Sequence, residues 1–380
     1  MRRLLRGARL LAQLAFSAVS CGWFLLARRG ATLVFTHAPD VDAEGRDPQM
    51  GPLVEGLLER GRPIVEVAFI PLDGGLLANL ARTRRPHLAH AALLASARLL
   101  ALAPGWGRER ARLAVGRALL RALRPRAVYL VDESGSGQLL LRAARSLGTP
   151  AIGIQHGDFQ PANPQYARPA GVEPADVLCV WSPWFRRRLL AVSPIYTEAN
   201  TRVTGRLRFP APRAAPPGPG AAGRLRILVV AERAPGWRAA AEPYLEAVRG
   251  RPDLELQIQP HPADGAGDWP AAELAHGSLA RALLEADVVC GTGSSALLEA
   301  LWHGRPAVSL VVAGRRDPAG YAAAGLVEPC ADPKNLPALC RELARGGAER
   351  TEERRARVWG GAADDPVAAI LACEAPRGGL

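Results

Sequence analysis

The sequence predicts an α/β protein of two domains, and three observations carry that prediction. Short apolar, β-branched runs alternate with helical stretches along most of the chain. A segment rich in proline and glycine divides this alternation near the middle. The length of 380 residues with 48% apolar and 22% charged content is globular and suits more than one domain at ~150 residues each. Disorder, collagen and coiled coil are excluded as the overall state.

The elements follow in order. Thr32-Leu33-Val34-Phe35 reads as the first strand, followed by an apolar helical stretch from Pro52 to Glu59 and a second strand from Ile64 to Ile70. Leu88 to Leu123 carries Leu, Ala and Arg at helical spacing with a break at Pro104-Gly105, so it reads as two helices. A strand spans Ala127 to Val131, and Gly135-Ser136-Gly137 opens a helix that Gly148 and Pro150 stop. The strand Ala151 to Ile154 runs into Gln155-His156-Gly157, and Val177 to Val180 is another short strand. Ser182-Pro183 offers an N-cap and a first-turn proline for the helix bearing Arg186, Arg187 and Arg188, a run that reads first as a solvated face.

Residues 210–223 hold five prolines and almost no apolar bulk, which is linker composition. The second half then predicts strands at Leu225 to Val230, Leu254 to Ile258, Val288 to Cys290 and Ala307 to Val312. Its helices fall near Trp237 to Val248, Leu279 to Glu285, Ser294 to Trp302 and Asn335 to Leu343. The predicted organisation is therefore a helix over 1–29, a Rossmann-like domain over 30–209, a linker over 210–223, a second Rossmann-like domain over 224–350 and a tail over 351–380. In two-domain enzymes of this plan the site lies in the cleft, at the carboxyl ends of the strands.

The net charge is +12, with Lys334 the only lysine. Half of that excess sits in Arg2, Arg3, Arg6, Arg9, Arg28 and Arg29, and the dilute remainder does not argue for nucleic acid. Between them, Leu10 to Leu26 is mostly apolar and just short of the ~20 residues that span a bilayer. Arg2, Arg6, Arg9, Gln13, Ser17 and Ser20 draw one polar stripe along a helix, which suits an interface with anionic head groups better than lipid. Packing on the protein, a true span and a signal segment are the alternatives. The strand that begins at Thr32 argues against export, so the expected location is the cytoplasmic face of the inner membrane, bound peripherally. Six cysteines show neither C-x-x-C nor histidine at metal spacing, so a reduced chain without structural zinc is expected.

Three predicted strand ends carry groups that handle an anion or a proton. In Gln155-His156-Gly157 the glycine leaves the imidazole open, and an unperturbed pKa of ~6.5 suits a general base. A histidine in a purely structural loop is the competing reading. Prolines on both sides of His261 hold its backbone extended and the ring in a set direction, which suits binding. The third segment, Val288 through Thr292, Gly293, Ser294 and Ser295 into a helix, is a strand, a glycine and hydroxyl loop, and a helix start that can take phosphate. It lacks the lysine of a Walker loop. Glu299, one turn beyond the serines, can take ribose hydroxyls. Asp132 and Glu133, at the end of the strand before Gly135, are an alternative base, of which at most one faces the cleft.

Together these segments resemble bacterial glycosyltransferases of the GT-B type that build surface polysaccharide, the capsule, teichoic-acid, sialyl- and Kdo-transferase group. The carrying pieces are His156-Gly157, His261-Pro262 and Gly293-Ser294-Ser295 in that order, with Gly304-Arg305-Pro306 after Glu299 and Val203-Thr204-Gly205 before the linker. The resemblance covers roughly Val128 to Val312 and implies two Rossmann-like domains facing across a cleft, which the amphipathic helix read above would precede. It implies His156 at the acceptor or as base, with Asp132 and Glu133 similar to an acidic sialyltransferase motif. It implies His261, Thr292, Gly293, Ser294 and Ser295 on the donor phosphates and Glu299 on the ribose. The implied activity is transfer of a sugar from a nucleotide-activated donor to a lipid-linked or polysaccharide acceptor, with no metal and no further cofactor. Gly-Thr-Gly in the serine loop departs from the Thr-Asp-Tyr of the glycerophosphate enzymes, which disfavours CDP-glycerol. A nucleotide-sugar 2-epimerase, a CDP-glycerol-type glycerophosphotransferase and a GT-B-like binding protein without catalysis are the competing readings.

Overall fold

A computed structural model describes residues 30–36, 49–68, 87–89, 96–97, 100–105, 107–131, 133, 135–159, 166, 172–207, 223–232, 236–261, 269–275, 277–312 and 317–374. The N-terminal amphipathic helix, most of the linker over 210–223 and Asp132 lie outside these residues. The chain divides into two compact units, Met1–Phe209 with Gly361–Leu380, and Pro210–Gly360.

The first unit is built on a seven-stranded sheet of order β3-β2-β1-β4-β5-β6-β7. Its strands are β1 (Thr32–Thr36), β2 (Ile64–Ala68), β3 (His87–Ala89), β4 (Val128–Leu130), β5 (Ala151–Ile154), β6 (Val177–Val180) and β7 (Thr201–Val203). Every pairing is parallel, so all carboxyl ends share one edge. Burial on both faces explains why the central strands β1, β4, β5 and β6 read as continuous, mostly apolar runs rather than alternating ones.

On one face α2 (Arg108–Leu123) and α3 (Gly135–Ser146) pack Leu120, Leu123, Leu139, Leu140 and Ala143 against Leu33, Phe35, Val128 and Leu130. Gly116 of α2 admits the close approach, because a Cβ there would stand 2.6 Å from Leu139 Cδ2. On the other face α1 (Gly51–Glu59) sets Leu53, Val54 and Leu57 against Val34, Tyr129 and Ile152. The fourth helix, α4 (Pro183–Val192), has Ser182 at its N-cap position, although the side chain makes no cap bond.

The expectation of helix from Leu88 is corrected at its start. Leu88 and Ala89 extend the sheet as β3, in register with Val67 and Ala68, because parallel pairing with β2 satisfies their backbone groups as well as a helix would. The chain also returns to this unit at its end. After Gly361, α10 (Pro366–Leu371) buries Ile370 in the face covered by α1, while the Glu374 carboxylate bonds Arg62 and Tyr129. Cys373 Sγ lies 3.9 Å from Cys179 Sγ on β6. The residues from 361 onward thus belong to the first unit, and 351–359 to the second.

The second unit has a five-stranded parallel sheet of order β12-β11-β10-β8-β9. Its strands are β8 (Leu225–Val230), β9 (Leu254–Gln259), β10 (Val288–Gly291), β11 (Ala307–Leu310) and β12 (Glu328–Cys330). The helices are α5 (Trp237–Val248), α6 (Leu279–Glu285), α7 (Ala296–Trp302), α8 (Leu336–Gly346) and α9 (Ala348–Trp359). One core joins Ile227, Val229, Ile258, Val288 and Cys290 to Tyr244 and Leu245 of α5 and Cys340 and Leu343 of α8. Two α/β units, each a parallel sheet wrapped by helices, match the fold class read from the sequence. Among the described residues no helix is long and apolar enough to cross a membrane.

Candidate functional site

A doubly wound sheet places ligands at the carboxyl edge, where the strand order reverses. In the first unit the reversal falls between β1 and β4, and the loops after β4, β5 and β6 carry the chemistry-bearing side chains.

His156 stands two residues past β5, half-buried. Its loop is held by Gln155, which is only 2% exposed. Gln155 Nε2 donates to the Gly157 carbonyl at 2.7 Å, and Oε1 accepts from the Trp181 amide at 2.8 Å. The Gln155 amide donates to the Cys179 carbonyl at 3.0 Å, and its own carbonyl accepts from the Trp181 indole at 3.0 Å. One glutamine thus ties the β5 end to the β6 end, and His156 rides between its anchored neighbours. On the other side of Gly157 the buried Asp158 takes a bidentate bond from Arg188 of α4, at 2.9 and 2.8 Å. The guanidinium of Arg206, just past β7, lies 5.4 Å from the Trp181 ring centroid. Arg188 is thus neutralised by Asp158, and Arg206 lies over the face of the tryptophan that anchors Gln155.

Glu133 occupies a different environment. It is 2% exposed and accepts a hydrogen bond from the Tyr196 hydroxyl, whose ionisation is pushed well up by burial and further by the charge of Glu133. Gly153 of β5 leaves the room it fills, since a Cβ there would stand 2.7 Å from Glu133 Oε1. Gln138 Nε2 donates to the carbonyls of Glu133 and Glu173 at 2.6 and 2.8 Å, so the backbone is pinned too. A carboxylate so enclosed, bonded to a tyrosine, is placed to organise β4 and β5, whereas His156 is the more accessible of the two. The structure does not describe Asp132.

In the second unit the order reverses between β8 and β10. Glu232, two residues past β8, accepts from the Gly293 amide at 2.6 Å and so bridges the two strand ends. Glu232 was not among the residues singled out from the sequence; its only signal is an acid directly after an apolar strand. Thr292 is fully buried, its hydroxyl accepting from the Trp237 indole at 2.7 Å and its carbonyl from Ser309 Oγ at 3.0 Å. Those bonds set the path of the loop. Gly293 lies against Pro318, where a Cβ would meet Cγ at 2.7 Å.

Ser294 and Ser295 are half-buried, and Ser294 Oγ accepts from the Ala296 amide at 3.2 Å. They precede α7, and Glu299 sits one turn further on, 3% exposed. His261 follows β9, which neighbours β8. At ~4.8 Å per strand it stands about 10 Å from the β10 loop along the same edge. The structure therefore gathers Thr292, Gly293, Ser294, Ser295 and Glu299 with Glu232, and sets His261 two strands away.

No protein-family model matches the sequence, and no curated protein matches it either. Solved structures do resemble the fold. The glycotransferase of kitacinnamycin is 19% identical, with 92% of this chain and 100% of that one covered at a TM-score of 0.57. The spinosyn rhamnosyltransferase SpnG complexed with thymidine diphosphate is 16% identical, covering 90% and 100%, at 0.55. The UDP-GlcNAc 2-epimerase from Neisseria meningitidis bound to UDP-GlcNAc is 13% identical, covering 91% and 97%, at 0.54. At these identities the likeness is one of fold, and the fold is the GT-B plan of two Rossmann-like units.

Proposed function

We propose that this protein is a metal-independent glycosyltransferase that moves a sugar from a nucleotide-activated donor to a lipid-linked or polysaccharide acceptor in the building of cell-surface polysaccharide. The observation that carries the reading is the bridged strand reversal of the second unit. There the Glu232 bond to the Gly293 amide holds open a loop that offers two serine hydroxyls and a carboxylate one turn along the following helix.

In that reading Ser294, Ser295 and the backbone beside them take the diphosphate, His261 lies along the same edge at the end of β9, two strands away, and Glu299 takes the ribose. Hydroxyl and amide donors aimed at the leaving phosphate stabilise the charge that builds as the glycosidic bond breaks. His156, fixed through Gln155, removes the proton from the attacking acceptor hydroxyl, work that asks for a group titrating near neutrality. Glu133 holds the neighbouring strands in place. Donor binding and acceptor activation thus fall to different units, which agrees with how the polar groups are distributed. The acceptor places the protein at the cytoplasmic face of the inner membrane, peripherally bound.

A nucleotide-sugar 2-epimerase is the second reading, favoured by the fold shared with the Neisseria enzyme. Incubation with radiolabelled CMP-, CDP-, UDP-, GDP- and thymidine-diphosphate-linked donors, with membrane extract as acceptor source, tests both. Label moved into a lipid or polymer fraction supports transfer. Label that stays on the nucleotide with its sugar inverted at C2 supports epimerisation. A label on glycerophosphate alone points to the glycerophosphotransferase chemistry, and no change with any donor leaves a binding protein.

A further inference from the structure

One large apolar side chain among the described residues is exposed, Leu102 at 81%. It lies in the turn that precedes α2, and Ala103, Pro104, Gly105 and Gly107 around it are exposed too. The turn is ordered by its own backbone, with the Ala103 amide bonded to the Leu100 carbonyl at 3.2 Å and the Ala101 amide to the Ala97 carbonyl at 3.0 Å. Residues 99–107 contain no charge, and Arg108, Arg110 and Arg112 follow at once, all exposed. The single acid among them, Glu109, is paired with Arg142 of α3. The result is an apolar tip with a cationic collar.

The topology says where this tip points. The end of α2 is joined to β4 by four residues, and the Leu123 carbonyl accepts from the Gly30 amide at 3.2 Å, just ahead of β1. The carboxyl end of α2 therefore sits at the amino edge of the sheet. Its 16 residues, about 24 Å at 1.5 Å each, run back to the carboxyl edge. Gly116, the ninth residue of α2, lies level with Leu139, the fifth of α3. The first turn of α2 and the loop before it accordingly stand about 6 Å beyond the start of α3. Leu102 thus projects from the edge of the first unit that also bears His156.

We propose that this tip and collar are a docking surface for an anionic phospholipid bilayer, with Leu102 entering the acyl boundary and Arg108 and Arg112, on one face of α2, meeting the head groups. Burial of an apolar residue and neutralisation of lipid phosphate are both rewarded at such a surface, and they add. A polyanion such as nucleic acid would use the arginines and leave Leu102 in water. The inference deepens the reading of a lipid-linked acceptor and rests on it: docking at this edge presents the acceptor head group to the His156 loop.

Flotation of the full-length protein with vesicles tests it without donor or acceptor, so failure here is separate from failure of the transferase reading. Vesicles of phosphatidylcholine are compared with vesicles containing one quarter phosphatidylglycerol, using native protein, Leu102→Ser and Arg108→Ser/Arg112→Ser, with circular dichroism as the check on folding. The expected result is binding of native protein to the anionic vesicles, lowered at least tenfold by each variant, with weak binding of all three to phosphatidylcholine. Native affinity in either variant, or no binding by the native protein, overturns the proposal. A loss confined to the arginine variant also overturns it, since the tip then does not insert.

Discussion

Replacing Gln155 by alanine is the sharpest test of how the His156 loop is held. The substitution removes the donor to the Gly157 carbonyl and the acceptor for the Trp181 amide, bonds of 2.7 and 2.8 Å made by a side chain almost wholly buried. Each buried bond is worth about 1 kcal/mol net, and each group left unpaired adds a desolvation cost of about 1 kcal/mol at the low end. The loss is then about 3 to 4 kcal/mol, less where a water enters the space. Glutamate separates the two contributions. Its carboxylate keeps an acceptor for Trp181 but, when ionised, has no proton for Gly157. An ionised carboxylate so buried is disfavoured, so the folded pKa of the new acid rises above the ordinary ~4.3 of the unfolded chain. Its stability deficit is therefore smallest below that value, where the protonated acid can donate, and grows as the pH rises through the folded pKa. Hydrogen exchange of peptides covering 151–159 and 177–182 reads this locally, which matters because a two-unit chain need not unfold in one step. Unchanged protection in Gln155→Ala, or a Gln155→Glu deficit that does not vary with pH, would show that the loop is held by something else.

In the donor site, Ser294→Ala/Ser295→Ala should weaken nucleotide binding by about 1.5 to 3 kcal/mol, because the hydroxyls go while the backbone amides stay; calorimetry on the folded variant decides. His156→Ala should leave nucleotide affinity nearly intact and cut transfer roughly 10²- to 10⁴-fold, the span for losing a positioned base. Glu133→Gln should shift the unfolding midpoint and cost less than tenfold in rate, and a crippled but well-folded Glu133→Gln would make the buried carboxylate the base instead. In the second unit, burial holds the Asp287 carboxyl above its ordinary range despite the Arg226 amide and the charges of Arg226 and Arg305. An acid whose folded pKa is raised destabilises once ionised, so Asp287→Asn, which keeps an acceptor for Arg226, should stabilise the protein at pH 7. That gain should fade as the pH drops below about 4, as denaturation at the two pH values would reveal.

Much of the fold was legible because buried parallel strands announce themselves. Runs such as Ile227 to Val230 have no polar face to hide, and capping prolines and glycines mark where the helices between them begin and end. What escaped has few apolar residues or only a distant partner. The three residues of β12 include Pro329 and form a strand because β11 offers an edge. The helix α9 is mostly charged; its anchor is Trp359, whose indole bonds the Leu298 carbonyl at 3.0 Å and whose ring lies 5.2 Å from that of Trp302. Neither feature has a local signature. The return of 361–374 to the first unit depends on Ile370, Asp365 and Glu374 meeting residues near position 60 and on β4, a contact no window of sequence spans.

The same distinction runs through the candidate site. The His-Gly and Ser-Ser segments could be found because glycine, proline and hydroxyl residues at strand ends are unusual enough to be seen singly. Their roles could not be divided in that way, because the division is made by partners far along the chain, up to 63 residues away for Glu133 and Tyr196. Gln155 looks like a passenger of His156 until Trp181 is brought beside it. Glu133 looks like a base until Tyr196 covers it and Gly153 makes room for it. Thr292 looks like a phosphate ligand until Trp237 takes its hydroxyl, and Glu232 is not visible as a site residue until it bridges to Gly293. Residue type at a strand end marks where polar chemistry gathers, and burial and pairing, which no single segment reveals, rank those groups by access. By that measure His156, Ser294 and Ser295, half-buried at the strand edges, are the side chains to alter first, while Gln155, Glu133 and Thr292 are the ones whose loss should be felt in stability before rate.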